Sequence, residues 1–267
     1  MIATITDREF ARVSRFIHET AGIHLSAAKR GLVCGRLARR LQHFRCTSFS
    51  QYLVLLEGDA AGDEAQTAIN LLTTNETFFF RESRHFEMLR RFAALWRERR
   101  EPLNVWSAAC STGEEPYSIA MVLDHALGPN RWDVLGTDIS TRVLAHARRG
   151  HYTEERARQI PPALLRQYCR KGIGDYAGTL LVERSLRERV RFAQVNLNAR
   201  LPDIDMFDCI FLRNVMIYFD IETRRKVVER VCAQLRPGGM LCVGHSESLH
   251  QVNDDLVQVA PSVYRKP

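Results

Sequence analysis

One stretch constrains this chain more than any other: VWSAACSTGEEPYSIA at 105–120. Residues 103–109 (LNVWSAA) read as a short buried strand. Residues 115–127 read as a helix, with Ile119, Val122, Leu123 and Ala126 at helical spacing. Between them lies a turn of small residues, 108–113, closed by Glu114 and Glu115 and by Pro116 in the first helical turn. A strand that runs through a small-residue turn into a helix is the opening βα unit of a nucleotide-type α/β sheet. The turn holds one glycine, Gly113, where a dinucleotide fingerprint needs three, and its two carboxylates would repel phosphates. A neutral or cationic nucleoside fits better. S-adenosylmethionine, which carries a sulfonium, is the natural candidate, against the plainer alternative of a strand–turn–helix with no ligand.

The alternation continues downstream. Residues 132–138 (WDVLGTD) form a second strand and 140–149 a helix. Asp138 ends that strand, where in this fold class an acid accepts hydrogen bonds from ribose hydroxyls; the other reading is a cap for the next helix. From 150 to about 189 the pattern fails. Pro161-Pro162 and the spaced Gly172, Gly174 and Gly178 predict an inserted antiparallel subdomain, its hairpin returning through 179–183. These glycines are not a phosphate loop, since no helix with Lys-Ser/Thr follows, but an exposed edge strand could bind an extended peptide. Strands resume at 190–195, ending in Asn196-Leu197-Asn198, and at 207–213, leading into Asn214–Phe219. A helix over 221–235 is expected to stop at Arg236-Pro237-Gly238-Gly239, before a strand at 240–244 and a last antiparallel strand near Val263-Tyr264. Asp138, Asn196, Arg213, Asn214 and His245 thus gather at the C-terminal ends of successive strands, the edge where open α/β sheets bind ligands.

Residues 1–72 read as a separate, wholly helical domain. Thr6-Asp7 with Glu9 caps a helix through His18; Ser26 can cap the next, and helices over 48–56 and 64–72 complete a bundle. No Asp or Glu occurs from 20 to 56, while Lys29, Arg36, Arg39 and Arg40 accumulate. An exposed helix usually carries both signs, so this is a candidate basic docking face, weighed against an ordinary solvated one. A linker segment and helix, 73–100, follow. TTNETFFFR at 73–81 is neither a helix face nor an alternating strand and reads as a connection pinned into a crevice by its phenylalanines. Arg81 there is either a paired structural arginine or a ligand contact. The helix over 83–99 turns Phe86, Leu89, Phe92 or Ala93, and Trp96 inward. The α/β remainder is 101–267, with the insert at 151–189.

Composition excludes several classes. There is no apolar run long enough to span a bilayer, and the first ten residues lack the apolar core of a signal peptide. The seven cysteines show no C-x-x-C pair, which points to a reduced, cytoplasmic setting. The nine histidines form no metal-spaced group, so no metal is expected. A net charge of +7 invites a polyanionic partner such as a nucleic acid, a membrane surface or an acidic protein.

With these residues in view the chain resembles the bacterial chemotaxis-receptor glutamate methyltransferases, the CheR type, over nearly its whole length. The resemblance rests on TTNETFFFRE at 73–82, VWSAACSTGEEPYSIA at 105–120, TDIS at 137–140, QVNL at 194–197, FLRNVMIYF at 211–219, LRPGGML at 235–241 and GHSES at 244–248. It implies an α/β fold: a small all-helical domain, then a Rossmann-like class I S-adenosylmethionine-dependent methyltransferase domain. It further implies methyl transfer to glutamate side chains of chemoreceptor cytoplasmic domains, with S-adenosylhomocysteine as product. Asn75, Thr77, Arg81, Glu115, Asp138, Asn196, Leu197, Arg213 and Asn214 would contact the cofactor, and Arg81 and Tyr218 would lie nearest the transferred methyl. Lys29, Arg36, Arg39 and Arg40 would face the acidic receptor. In relatives that also dock on a peptide at the receptor's C-terminus the hairpin does so, and its spaced glycines are similar to Gly172, Gly174 and Gly178. A cytoplasmic monomer, recruited to membrane receptor arrays without inserting in the membrane and without nucleic acid, is the expected form.

The chemistry agrees. A glutamate carboxylate, of pKa ~4.3, is already ionised at neutral pH and needs no general base. What remains is in-line placement and exclusion of water, with Arg81 or Tyr218 orienting the carboxylate and His245 structural. Three rivals are weaker. A nucleic-acid amino-methylase would carry prolines where Asn214-Val215-Met216-Ile217-Tyr218 stands, a non-catalytic sensor would not need the polar set, and a nicotinamide enzyme would need the missing glycines.

Overall fold

In a computed structural model the chain is described over residues 4–58 and 62–267; the first three residues of the start discussed above lie outside this range. The N-terminal domain contains α1 (Asp7–Ala21), α2 (Arg30–His43), α3 (Phe49–Glu57) and α4 (Gly62–Leu72). The start of α1 is set by a reciprocal capping box: the Thr6 hydroxyl accepts from the Glu9 amide while the Glu9 carboxylate accepts from the Thr6 amide. Ser26 caps nothing with its side chain; a single 3-10 turn, Ala27–Lys29, leads into α2 instead. Phe10, Val13, Ile17, Val33, Leu37, Tyr52 and Leu53 interlock as this domain's own core.

The larger domain opens with α5 (Arg84–Ala94), shorter than the helix expected over 83–99, with Ala93 rather than Phe92 fully buried. It continues with β1 (Leu103–Ser107), α6 (Glu114–Leu127), β2 (Trp132–Asp138), α7 (Thr141–Arg149), β3 (His151–Thr153), α8 (Pro162–Tyr168), β4 (Cys169–Lys171), β5 (Thr179–Val182) and α9 (Arg184–Arg187). The chain then runs through β6 (Val190–Gln194), β7 (Phe207–Leu212), α10 (Ile221–Ala233), β8 (Leu235–Val243), β9 (Val257–Ala260) and β10 (Val263–Arg265). The main sheet has the order β6-β2-β1-β7-β8-β10-β9. Its first five strands are parallel, while β10 runs antiparallel to both neighbours. Strand order reverses at β1, between β2 and β7, and ligands bind at such switch points, outside the carboxyl ends of the strands. Each sheet face carries its own apolar layer, one around Val105, Tyr117, Leu123 and Phe211, the other around Trp106, Ile210, Val227 and Leu241.

One expectation is corrected. Arg236–Gly239 does not stop a helix ahead of a separate strand: α10 ends at Ala233 and these residues lie within β8. Gly238 and Gly239 instead exchange backbone hydrogen bonds with Lys266, so the tail holds them in the sheet. The insert is, as expected, antiparallel: three strands of order β3-β5-β4, with the returning strand β5 at the centre and β3 and β4 as the edges. No described helix is long and apolar enough to cross a membrane.

The helical domain is fastened to the sheet's C-terminal edge by polar contacts. Asn196 Nδ2 donates to the Thr20 carbonyl, Gln66 Nε2 donates to the Ile139 carbonyl at 3.0 Å, and Asn70 Nδ2 donates to the Thr141 hydroxyl at 2.9 Å. His18 and Asp220 meet at 2.7 Å, and Ile23 forms an antiparallel bridge with Phe219.

Candidate active site

A cleft lies where the two domains and the connector meet. Its floor is the small-residue turn after β1, with Ala108, Ala109 and Ser111; Asp138 and Ile139 come from the end of β2, Val195–Leu197 from the end of β6, and Arg213–Val215 with Tyr218 from the segment after β7. Residues 73–78 and Arg81 roof it, and Ala21 and Ile23 of the helical domain close one side. The floor can be so close because Gly113 adopts φ +98°, and a Cβ there would stand 2.8 Å from both the Ala147 Cβ and the Tyr152 hydroxyl.

Arg213 is the buried charge around which one end of the cleft is built. Its Nη1 donates to Glu115 Oε2 at 2.7 Å and its Nη2 to Glu82 Oε2 at 2.9 Å, with the Phe86 and Phe211 rings against the guanidinium. Burial alone would weaken that charge, but the two carboxylates outweigh it and raise the Arg213 pKa. Its effect on the partners differs with depth. Burial dominates at Glu115 and raises its pKa despite Arg213 and the Ser107 hydroxyl, which donates to Oε1 at 2.6 Å. At Glu82 burial also pulls upward, but Arg213, Asn214 and the His245 amide prevail and hold it below the ordinary range. The Nε of Arg213 is buried without a partner among the described residues. An orphaned donor beside two carboxylates suits the charged amino-acid end of a nucleoside ligand, with the net negative balance favouring a sulfonium.

Glu82 and Asn214 stand at φ +57° and +56°, a left-handed conformation that non-glycine residues rarely adopt and that clusters at functional sites. Each is held from several sides. Asn214 Nδ2 donates to Glu82 Oε1 at 3.2 Å, and its amide donates to Glu247 Oε2 at 2.8 Å. At the other end, Asp138 accepts from the Ser111 and Ser140 amides, both at 2.9 Å, so it braces the floor; it does not cap α7, whose N-cap is Ser140, and burial raises its pKa. The Ser111 hydroxyl donates to the Asn75 carbonyl at 3.0 Å and ties the connector down. Thr77 and Leu197 line the cleft. Arg81 donates to the Glu76 carbonyl at 3.0 Å and lies over Phe78; Tyr218 stands opposite, with its pKa raised by burial.

The structure thus brings Asn75, Thr77, Arg81, Glu115, Asp138, Asn196, Leu197, Arg213, Asn214 and Tyr218 to one cleft. Asn196 is partly spent on the domain contact with Thr20. Sequence reasoning missed Glu82, Ser111 and Glu247; the only trace of Glu82 was its place at the end of TTNETFFFRE.

Two other groups of predicted residues look different once folded. On α2, Arg40 is not part of a free basic face: it forms an ion pair with Glu64, which also accepts from the buried Tyr52 hydroxyl. Arg36 is also turned inward, its Nη1 donating to the Leu72 and Thr73 carbonyls at 2.9 and 3.0 Å. Lys29 and Arg39 remain exposed. Gly172, Gly174 and Gly178 shape the hairpin rather than offer contacts: a Cβ on Gly172 would lie 2.0 Å from the Tyr176 carbonyl oxygen, and the other two have positive φ. The side chains presented at that tip are Ile173, 82% exposed, and Tyr176, 64% exposed. Glu82, His85 and His245 come within 4.8 Å of one another, an assembly invisible in the spacing of the histidines.

A switch-point cleft with an acid at the end of the second strand and a carboxylate-rich end is the arrangement of a nucleoside-binding α/β fold. The chain belongs to the CheR methyltransferase family, matching its all-alpha domain over residues 8–73 and its SAM binding domain over 75–264. It is 43% identical over 263 residues to the chemotaxis protein methyltransferase of Escherichia coli K12, covering 97% of this chain and 91% of that protein. It is 42% identical over 264 residues to chemotaxis protein methyltransferase 2 of Pseudomonas aeruginosa, covering 97% and 93%.

Proposed function

We propose that the chain transfers a methyl group from S-adenosylmethionine to glutamate carboxylates on chemoreceptor cytoplasmic domains. The observation that carries this reading is the Glu82–Arg213–Glu115 arrangement at the end of a switch-point cleft, in a chain of this family. When bound, the cofactor supplies an electrophilic methyl on a sulfonium. The chain's residues bind and orient. Asp138 keeps free lone pairs for ribose hydroxyls, Glu115 and Arg213 receive the amino-acid end, and Asn75, Thr77, Asn196, Leu197 and Asn214 line the remainder. Arg81 and Tyr218 position the incoming carboxylate at the cleft mouth. An ionised carboxylate is its own nucleophile, so a site of Arg, Asn and Tyr suffices, and the roof over 73–78 excludes water.

Lys29, in the turn before α2, and Arg39, on α2, offer exposed positive charge to an acidic receptor, with Arg36 and Arg40 bracing the helix from inside. The exposed tip of the insert, with Ile173 and Tyr176 beside β4, suits an extended receptor peptide added to the sheet edge. Cytoplasmic residence, recruitment to receptor arrays and a monomeric form belong to the same reading, which includes neither nucleic acid nor membrane insertion.

The test is transfer of labelled methyl to membranes bearing the host's receptors, followed by mild alkali. Label that enters the receptor and leaves as methanol is the expected result and identifies a carboxyl methyl ester. Alkali-resistant label would overturn the acceptor class.

A further inference from the structure

We propose that Glu82, His85 and His245 form a binding site for a divalent transition metal, Zn²⁺ in character, on the outer side of the Arg213 cluster. The three side chains come from distant segments: Glu82 and His85 from the connector and the start of α5, His245 from just after β8. His85 Nδ1 lies 3.5 Å and His245 Nε2 3.9 Å from the same oxygen, Glu82 Oε2. The two imidazoles are 5.2 Å apart at their centroids, and all three ligand atoms fit within 4.8 Å. A tetrahedral ion with bonds of about 2.0–2.1 Å spaces its ligand atoms roughly 3.4 Å apart. Closing to that geometry takes side-chain shifts of a fraction of an ångström to about one. Two imidazoles and one carboxylate, with a position left for water, is a donor set that zinc accepts.

His85 supplies a second, independent observation. It is 1% exposed, and both of its ring nitrogens lack a hydrogen-bond partner. Buried polar atoms rarely stay unused, and this ring faces Glu82 and His245. His245 is half exposed and gives an ion a way in. Arg213 shares the Glu82 oxygen, but Glu82, Glu115 and Glu247 outnumber it locally, leaving negative charge for a divalent ion to offset. The site also has a consequence for the cleft. An ion on Oε2 draws Glu82 away from Arg213, and Glu82 also holds Asn214. Metal and cofactor therefore oppose each other, and by linkage each weakens the other to the same degree. The metal site stands without the methyltransferase reading; only this coupling rests on it.

The test is titration of the full, cofactor-free chain with Zn²⁺ alone by calorimetry, with Co²⁺ absorption as a probe of coordination. One equivalent is expected to bind, and His245→Ala should lower its affinity by more than the ~10–100-fold that loss of an outer partner costs. His85→Gln should do the same, checked for folding by circular dichroism, while His250→Ala should bind as the parent does. Since His245 is half exposed, its variant tests the site even if His85→Gln does not fold. An isotherm identical in parent and His245→Ala overturns the proposal. In parallel, saturating Zn²⁺ should weaken S-adenosylhomocysteine binding several-fold in the parent and not in His245→Ala. If the product fails to bind metal-free protein, the cofactor reading fails and the zinc isotherm is unaffected.

Discussion

Arg213 holds a full charge in a place almost without solvent because Glu82 and Glu115 flank it, and removing it would strand two acids. Breaking such a buried arrangement from one side typically costs ~3–5 kcal/mol, so Arg213→Met should destabilise the fold by about that amount in urea melts. The loss should depend on pH. Glu82 has a lowered pKa, so its contribution to wild-type stability is present above the ordinary carboxylate range and fades as pH falls. Glu115 already has a raised pKa, and without Arg213 it rises further, so the variant gains stability as pH falls. The Glu82 effect lies below about pH 4.5, so between pH 8 and pH 5 only Glu115 shrinks the penalty: it should be smaller at pH 5 than at pH 8, and an equal penalty at both would refute the assignment. Arg81 lies at the cleft mouth with one carbonyl contact, and here the expectation is kinetic. Arg81→Ala should lower kcat by roughly 10²-fold, the scale of a lost positioning donor, while changing S-adenosylhomocysteine affinity far less. Equal falls in both would make Arg81 a cofactor contact instead.

At the scale of elements, one of the side chains that join the two domains also starts a helix. Asp220 accepts from the Thr223 amide as the N-cap of α10 and simultaneously meets His18 of α1. The Thr223 amide and then His18 lower its pKa to about 2, so this joint persists above the ordinary aspartate range and is lost as pH falls towards 2. Asp220→Asn keeps a capping oxygen and loses the ion pair, whereas Asp220→Ala loses both. The alanine variant should be destabilised by ~1 kcal/mol in urea melts and the asparagine variant by clearly less. The same contrast explains what the sequence could reveal. Thr6 with Glu9 and the apolar spacing of α6 are local, and they read correctly. The strand-end positions of Asp138, Asn196 and Arg213 follow from local alternation too, which is why the cleft could be drawn in advance. Arg40 misled because its acid, Glu64, belongs to another helix, so an acid-free run along one helix did not mean an unpaired face. Arg236–Gly239 misled because the partner that keeps two glycines in a strand, Lys266, arrives only at the end of the chain. Glu82 and His245 lie 163 residues apart, and no spacing rule spans that distance.

At the scale of the whole molecule, a net charge of +7 is not spread evenly over function. Three of the arginines singled out in the sequence are engaged inside the molecule: Arg213 in the cleft, Arg36 at the connector and Arg40 against Glu64 of the bundle. Of the four basic residues read as a receptor-facing set, Lys29 in the 3-10 turn before α2 and Arg39 on α2 remain exposed, so in the proposed docking the attraction acts through solvent-exposed charges. Such charges are screened over about 8 Å at physiological ionic strength and govern encounter more than bound-state chemistry. The cofactor end is different, because its charges are buried and already paired. Raising salt from 50 to 300 mM should therefore raise KM for receptor several-fold and leave kcat and S-adenosylhomocysteine affinity nearly unchanged. Charge reversal at both exposed positions, Lys29→Glu with Arg39→Glu, should reproduce the high-salt KM at low salt and flatten the remaining dependence. A steep salt dependence that survives this reversal would place the receptor on another face of the molecule.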